Sequence, residues 1–155
     1  MPDVRYPELT TDVVKAYIWI LYFLQLVLGV NPQRIVVGGD SAGGTLALML
    51  TTWCIENGVR VPDYLHLHYP VTDLSTLRCT PSNMYELVDT VIEFNGIFQS
   101  RVEYCAGLAD PESDYLLSPV LTPLHLLKRF PPTDIFTTEN DTLCDESWRM
   151  GHKLV

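Results

Sequence analysis

The stretch RIVVGGDSAGGTLALML, residues 34–50, constrains this chain more than any other. Its first part, Arg34-Ile-Val-Val37, is a short β-branched run of the kind that forms a fully buried parallel strand. Residues 44–57, GTLALMLTTWCIEN, are helix-length and rich in Ala, Leu and Met, with Leu46, Leu50, Trp53 and Cys54 at helical spacing. Gly58 follows where a helix commonly stops on a left-handed residue. Between strand and helix lies a G-x-S-x-G pattern centred on Ser41. The order is strand, tight turn, helix, with a serine on the corner.

That order is what a nucleophile elbow of an α/β-hydrolase requires. A trypsin-like reading of the same letters fails, because its two signals belong to opposite ends of an all-β domain and here they overlap. On a strained strand-to-helix corner, Gly39 and Gly43 are expected to be small so that the two backbones can pass closely. The helix that starts after Ser41 aims its positive end at any oxyanion formed there, with the Ala42 N–H as the first donor.

At 155 residues and 47% apolar content the chain fits one domain with a core. A net charge of −9, with ten scattered Lys and Arg, excludes a nucleic-acid partner. The four cysteines, Cys54, Cys79, Cys105 and Cys144, form no C-x-x-C pair and read as buried thiols in a reducing, cytoplasmic compartment. Residues 1–11 are polar and acidic, unlike a signal peptide. The run YIWILYFLQLVLGV, residues 17–30, is too short for a membrane span and reads as a buried core helix over 12–28, capped by Thr10 or Thr11 and ended by Gly29. Its greasiness leaves open a contact with a lipid surface or a protein partner through that helix.

A coarse pass predicts helix 12–28, strand 34–38, helix 44–57 and strand 64–69, then an irregular, helix-containing region over 72–119. Helix 123–129, strand 133–138 and helix 144–155 complete it. Alternating helix and strand imply a parallel sheet with crossover helices, whose functional loops lie at the carboxyl ends of the strands. Ser41 follows one such end, and Glu139-Asn140-Asp141 follows another. His66 and His68 share one face of strand 64–69. With no third ligand spaced to join them they read as polar residues packed under helices, so neither a metal nor a cofactor is expected.

With these residues in view, the sequence resembles the hormone-sensitive lipase family of α/β-hydrolases. The matching letters are YPELTTDVVKAYIW at 6–19, GGDSAGG at 38–44, NGVRVPD at 57–63, YPVTD at 69–73, AGLADPESDYLLSPVLTP at 106–123 and FPPTDIFTTENDTLCDES at 130–147. The resemblance implies an α/β-hydrolase fold, with Ser41 as nucleophile and Asp141, in its D-x-L-x-D-E setting, as the acid. It also implies a carboxylic ester hydrolase, esterase or lipase, acting on a small-molecule ester or lipid through a serine acyl-enzyme. Without the family, Asp141 is an ordinary loop acid, and Asp145 and Glu146 fit the first helical turn, where negative charge is favourable.

The family's His-Gly-Gly oxyanion loop and its catalytic histidine have no counterpart in these 155 residues. His152 sits about 12 Å along the terminal helix from the loop of Asp141 at 1.5 Å per residue, and His125 leads toward the wrong end of its strand. The expectation is therefore part of a single catalytic domain, residues 1–155, lacking its amino-terminal strands and last strand and catalytically incomplete as it stands. The competing expectation is a truncated, non-catalytic relative that binds a partner or lipid surface.

Overall fold

The computed structural model describes residues 6–75, 80–87, 94–108 and 110–155. Its elements are α1 (Glu8–Tyr22), α2 (Leu24–Leu28), β1 (Val36–Asp40), α3 (Ala42–Asn57), β2 (Tyr64–His68), α4 (Phe94–Tyr104), α5 (Leu124–Leu127), β3 (Thr133–Phe136) and α6 (Cys144–Leu154). Short 3₁₀ turns at Pro81–Leu87 and Pro119–Leu121 flank α4. The strands form one parallel sheet in the order β1-β2-β3, which is the alternation the sequence predicts.

β1 begins two residues later than expected. Asp63 takes the Ile35 N–H on its carboxylate (2.8 Å), and Arg60 donates to the Pro32 and Gln33 carbonyls and to Asp63. Residues 32–35 are thus held by the segment before β2, and the ladder opens at Val36 opposite Tyr64. The Ile35 N–H is also the main reason the Asp63 carboxyl lies below its usual range.

α3 is the central pillar. It is buried on nearly every side, and the hydroxyls of Thr51 and Thr52 donate back to the Ala47 and Leu48 carbonyls, so these two polar residues sit in apolar surroundings fully satisfied. Ala47 and Leu48 pack with Leu65 and Leu67 of β2, Leu127 of α5 and Met150 of α6, and Val37 and Ile135 join them from the flanking strands. On the far side of α3, Met49, Leu50 and Cys54 pack with Tyr17 of α1 and Ile35. Gly58 ends the helix in the left-handed region, as expected.

These helices cover one face of the sheet only. The other face carries Val36, Gly38 and Asp40 of β1, Tyr64, His66 and His68 of β2, and Asp134 and Phe136 of β3, aligned by the strand register. Val36 is 61% exposed, so the expected full burial of this strand is not met: the β-branched run is covered from one side. The expected helix over 12–28 is also two helices. It starts earlier, on Pro7 with no side-chain cap, and breaks at Phe23 before Gly29 closes it with a left-handed turn. No helix among the described residues is long and apolar enough to cross a membrane.

Candidate active site

Ser41 stands between the last residue of β1 and the first of α3, with φ 50° and ψ −120°. A non-glycine residue here costs on the order of 1–3 kcal/mol and persists only where its surroundings over-determine it. They do. The Ser41 N–H donates to the His68 carbonyl (2.9 Å), and its own carbonyl accepts from the N–H groups of Gly44 (3.0 Å) and Val71 (3.3 Å). The corner is tied at once to the end of β2, to the first turn of α3 and to the loop after β2.

The crowding expected of the glycines divides differently from the sequence reading. A Cβ on Gly39 would collide with the backbone of Gly43 and lie 2.7 Å from the Gly44 nitrogen. A Cβ on Gly43 would meet nothing within 4 Å. The second position that must stay bare is Gly44, where a Cβ would come 2.7 Å from the Pro70 Cβ. Gly43 serves by its backbone passing under Gly39.

The Ser41 hydroxyl makes no hydrogen bond among the described residues, and Ala42 is exposed beside it. The Ala42 N–H belongs to the first turn of a 16-residue helix, where backbone donors lack internal partners, so it points at the space above the serine with the helix dipole behind it.

Asp141 lies in the loop between β3 and α6. Its Oδ1 accepts the Leu143 N–H (2.9 Å) and its carbonyl accepts the Cys144 N–H (3.0 Å), which fixes the carboxyl group against the start of α6. Oδ2 has no hydrogen-bond partner among the described residues and can accept another donor. β1 and β3 flank β2, so with a spacing near 4.8 Å their carboxyl ends stand roughly 10 Å apart. Ser41 and Asp141 therefore rise from the same end of one sheet, two strands apart.

None of the four histidine rings hydrogen-bonds to Ser41 or Asp141. His66 and His68 bond to each other, Nε2 to Nε2, at 3.0 Å, and their rings contact Phe136 at 4.9 and 5.1 Å. They lie on the sheet face that no described helix covers, not under helices as expected. The described residues contain no group of three metal-ligating side chains. His152 bonds the Trp148 carbonyl on α6, and His125 is exposed on α5.

The sequence reading misses the residue that joins the two halves of the site. Glu146 is 1% exposed, and its role is not that of a surface charge at a helix start. Its Oε1 accepts the N–H groups of Thr72 (2.8 Å) and Asp73 (3.4 Å), its Oε2 accepts Arg101 Nη2 (2.8 Å), and its carbonyl accepts the Thr72 hydroxyl (2.8 Å). Burial pushes its carboxyl up to about 7, against the opposing pull of Arg101 and the two backbone N–H groups. The available signal was the YPVTD stretch directly after a strand, whose backbone groups need partners once buried. Cys54, Cys105 and Cys144 are free thiols, and Cys79 lies outside the described residues.

Three comparisons bear on this arrangement. Mouse hormone-sensitive lipase is 31% identical over 113 residues, covering 73% of this chain and 15% of that protein. An esterase of Acinetobacter venetianus is 28% identical over 152 residues, 98% of this chain and 47% of the esterase. The crystal structure of carboxyl esterase 2 from the fungus Tuber melanosporum superposes with a TM-score of 0.88 at 25% identity, over 99% of this chain and 50% of that one. The chain thus spans about half the length of the esterases it matches. A family model described as the alpha/beta hydrolase fold matches residues 1–155, and with the strand, serine corner and helix in place the chain belongs to that family.

Proposed function

We propose that this chain carries the nucleophile and acid half of a carboxylic ester hydrolase, with Ser41 as nucleophile and Asp141 as the acid that orients a histidine. The observation that carries the reading is the Ser41 backbone: a strained corner between a parallel strand and a buried helix, with an unbonded hydroxyl and the Ala42 N–H beside it. The names of the relatives, lipase and esterases, support the same chemistry.

In this reading Ser41 Oγ attacks the ester carbonyl carbon while a base removes its proton. The tetrahedral oxyanion then sits against the Ala42 N–H. Collapse expels the alcohol, which takes the proton back from the base, and water cleaves the acyl-serine by the same route in reverse order. Asp141 Oδ2 is placed to accept the far N–H of the base. The substrate is a small-molecule ester or lipid. No cofactor or metal enters, and the three free thiols suit a reducing, cytoplasmic setting.

A second reading rests on a separate observation. Tyr22, Phe23, Leu26, Val27, Leu28 and Val30 are all exposed, Leu26 by 81%, which fits a non-catalytic member that binds a partner or lipid surface through α2.

Added imidazole separates the two, since it supplies a free base small enough to enter the gap between Ser41 and Asp141. The 155-residue chain with imidazole should hydrolyse p-nitrophenyl acetate faster than its Ser41→Ala variant does, and Asp141→Asn should lower that surplus. Equal rates for wild type and Ser41→Ala at every imidazole concentration would refute the catalytic reading.

A further inference from the structure

The segment after β2, residues 70–73, runs between the serine corner and the start of α6 and is bonded to both. On the serine side, the Val71 N–H donates to the Ser41 carbonyl, Thr45 donates its hydroxyl to the Val71 carbonyl, and Pro70 packs on Gly44. On the acid side, Ser147 donates to the Pro70 carbonyl (3.1 Å), Arg149 Nη1 reaches Asp73 Oδ2 (3.2 Å), and Glu146 takes the N–H groups of Thr72 and Asp73. Val120 closes the far end by donating to the Thr72 carbonyl (2.9 Å). The segment is a strap with one edge on the nucleophile and the other on the helix that follows Asp141.

Glu146 differs from the other attachments in having both carboxylate oxygens engaged at 1% exposure, with Arg101 of α4 as its countercharge. A buried carboxylate must be paired and hydrogen-bonded, so its position is dictated by three elements at once: the strap, α4 and α6. It stands five residues after Asp141 on the same loop-to-helix junction. Moving Glu146 moves the strap under Ser41 and the helix start that fixes Asp141.

We infer that Glu146, paired with Arg101, is a positioning residue for the ester hydrolysis proposed above, setting the separation of Ser41 from Asp141 through the strap at residues 70–73. The inference rests on that proposed reaction. It touches no substrate, so its signature is a loss of turnover with binding little changed.

Two double variants separate positioning from mere stability. Arg101→Gln with Glu146→Gln removes both charges but keeps an acceptor for the Thr72 and Asp73 N–H groups. Arg101→Met with Glu146→Leu also removes both charges, relieves the cost of burying them, and leaves those N–H groups without an acceptor. Both should fold, and each is compared with wild type by amide exchange and by the imidazole-dependent rate. The Gln pair should match wild type within about threefold in exchange at residues 71–73 and in kcat. The Met/Leu pair should exchange about tenfold faster at Thr72 and Asp73, and lose roughly a hundred-fold in kcat with KM changed less than about threefold. Equal kcat for the two pairs overturns the inference, whether or not the strap amides are exposed, and leaves the hydrolase reading standing. A wild-type chain with no rate above Ser41→Ala instead sinks the hydrolase reading and this inference with it. If neither double variant folds, Thr72→Val supplies the same test, since it removes the hydroxyl bond to the Glu146 carbonyl; an unchanged kcat there counts against the strap.

Discussion

At the scale of single residues, the serine corner is defined by what it cannot hold. Gly39 has no room for a side chain, because its Cβ would enter the backbone of Gly43, while Gly43 itself opens onto free space. Gly39→Ala should therefore cost about 3 kcal/mol or more by forcing strand and helix apart, and Gly43→Ala should be neutral or raise stability by up to about 1 kcal/mol by helix propensity. Chemical denaturation of both variants checks this, and equal effects would contradict the corner geometry. Glu146 gives a second residue-level expectation. Its carboxyl is raised by burial from 4.5 to about 7, so the folded state binds its proton more tightly than the unfolded state does. The stability this confers is full below about pH 4.5 and is lost as pH rises through about 7. Comparing wild type with Glu146→Gln cancels the other groups. Wild type should lose ground on the variant by on the order of 2–3 kcal/mol between pH 4.5 and 7. A flat difference would mean that the carboxyl is not desolvated.

At the scale of elements, the sequence carries much of the architecture and little of its covering. The elbow was legible because Gly39, Ser41 and the Ala- and Leu-rich run after it answer to local backbone demands, and local demands are written locally. The three strands and their parallel order follow in the same way from alternation with helices. Which face of the sheet is covered is a tertiary property, and a run such as Arg34-Ile-Val-Val37 is the same whether one side or both are packed. Hence Val36 and the pair His66 and His68 were assigned to a buried setting they do not have. Glu146 was misread for a related reason: its partners Thr72 and Arg101 are 74 and 45 residues away, and nothing in its neighbourhood announces them. The uneven covering has its own test. Val36→Thr should change stability by no more than about 0.5 kcal/mol, while Leu65→Ala, on the covered face of the adjacent strand, should cost about 2–5 kcal/mol. A large loss at Val36 in thermal melts would mean that something packs on the open face.

At the scale of the whole molecule, the sheet has an unpaired edge on β1 and another on β3 among the described residues, and one face without helices. Along β3 and α6 runs a groove of about 680 Å³ lined by Phe130, Pro132, Ile135, Trp148 and Leu154 among others. Edges and apolar surface of this kind pair with other chains, so the 155-residue protein should self-associate at micromolar concentration, and Leu26→Gln on exposed α2 should reduce that without altering the fold. A monomer in sedimentation velocity would contradict it. The same incompleteness governs activity. Ser41 has its strained corner and its Ala42 donor, and Asp141 has an oxygen to spare, but no imidazole of this chain bonds to either. Loss of the histidine from a comparable triad costs on the order of a million-fold in turnover, against roughly a hundred- to a thousand-fold for one oxyanion donor, and the two do not simply add. The missing base decides the outcome, because an unassisted serine hydroxyl at neutral pH is a poor nucleophile. Without added imidazole, the chain should hydrolyse an activated short-chain ester no faster than its Ser41→Ala variant. A chain extended to include a histidine beside Asp141 and a His-Gly-Gly loop should show esterase activity that Ser41→Ala abolishes and Asp141→Asn strongly reduces. Stoichiometric labelling of Ser41 by a fluorophosphonate in the short chain would overturn this. It would mean that a base within these 155 residues reaches the serine, and His68, whose carbonyl already holds the Ser41 N–H, would be the first residue to replace.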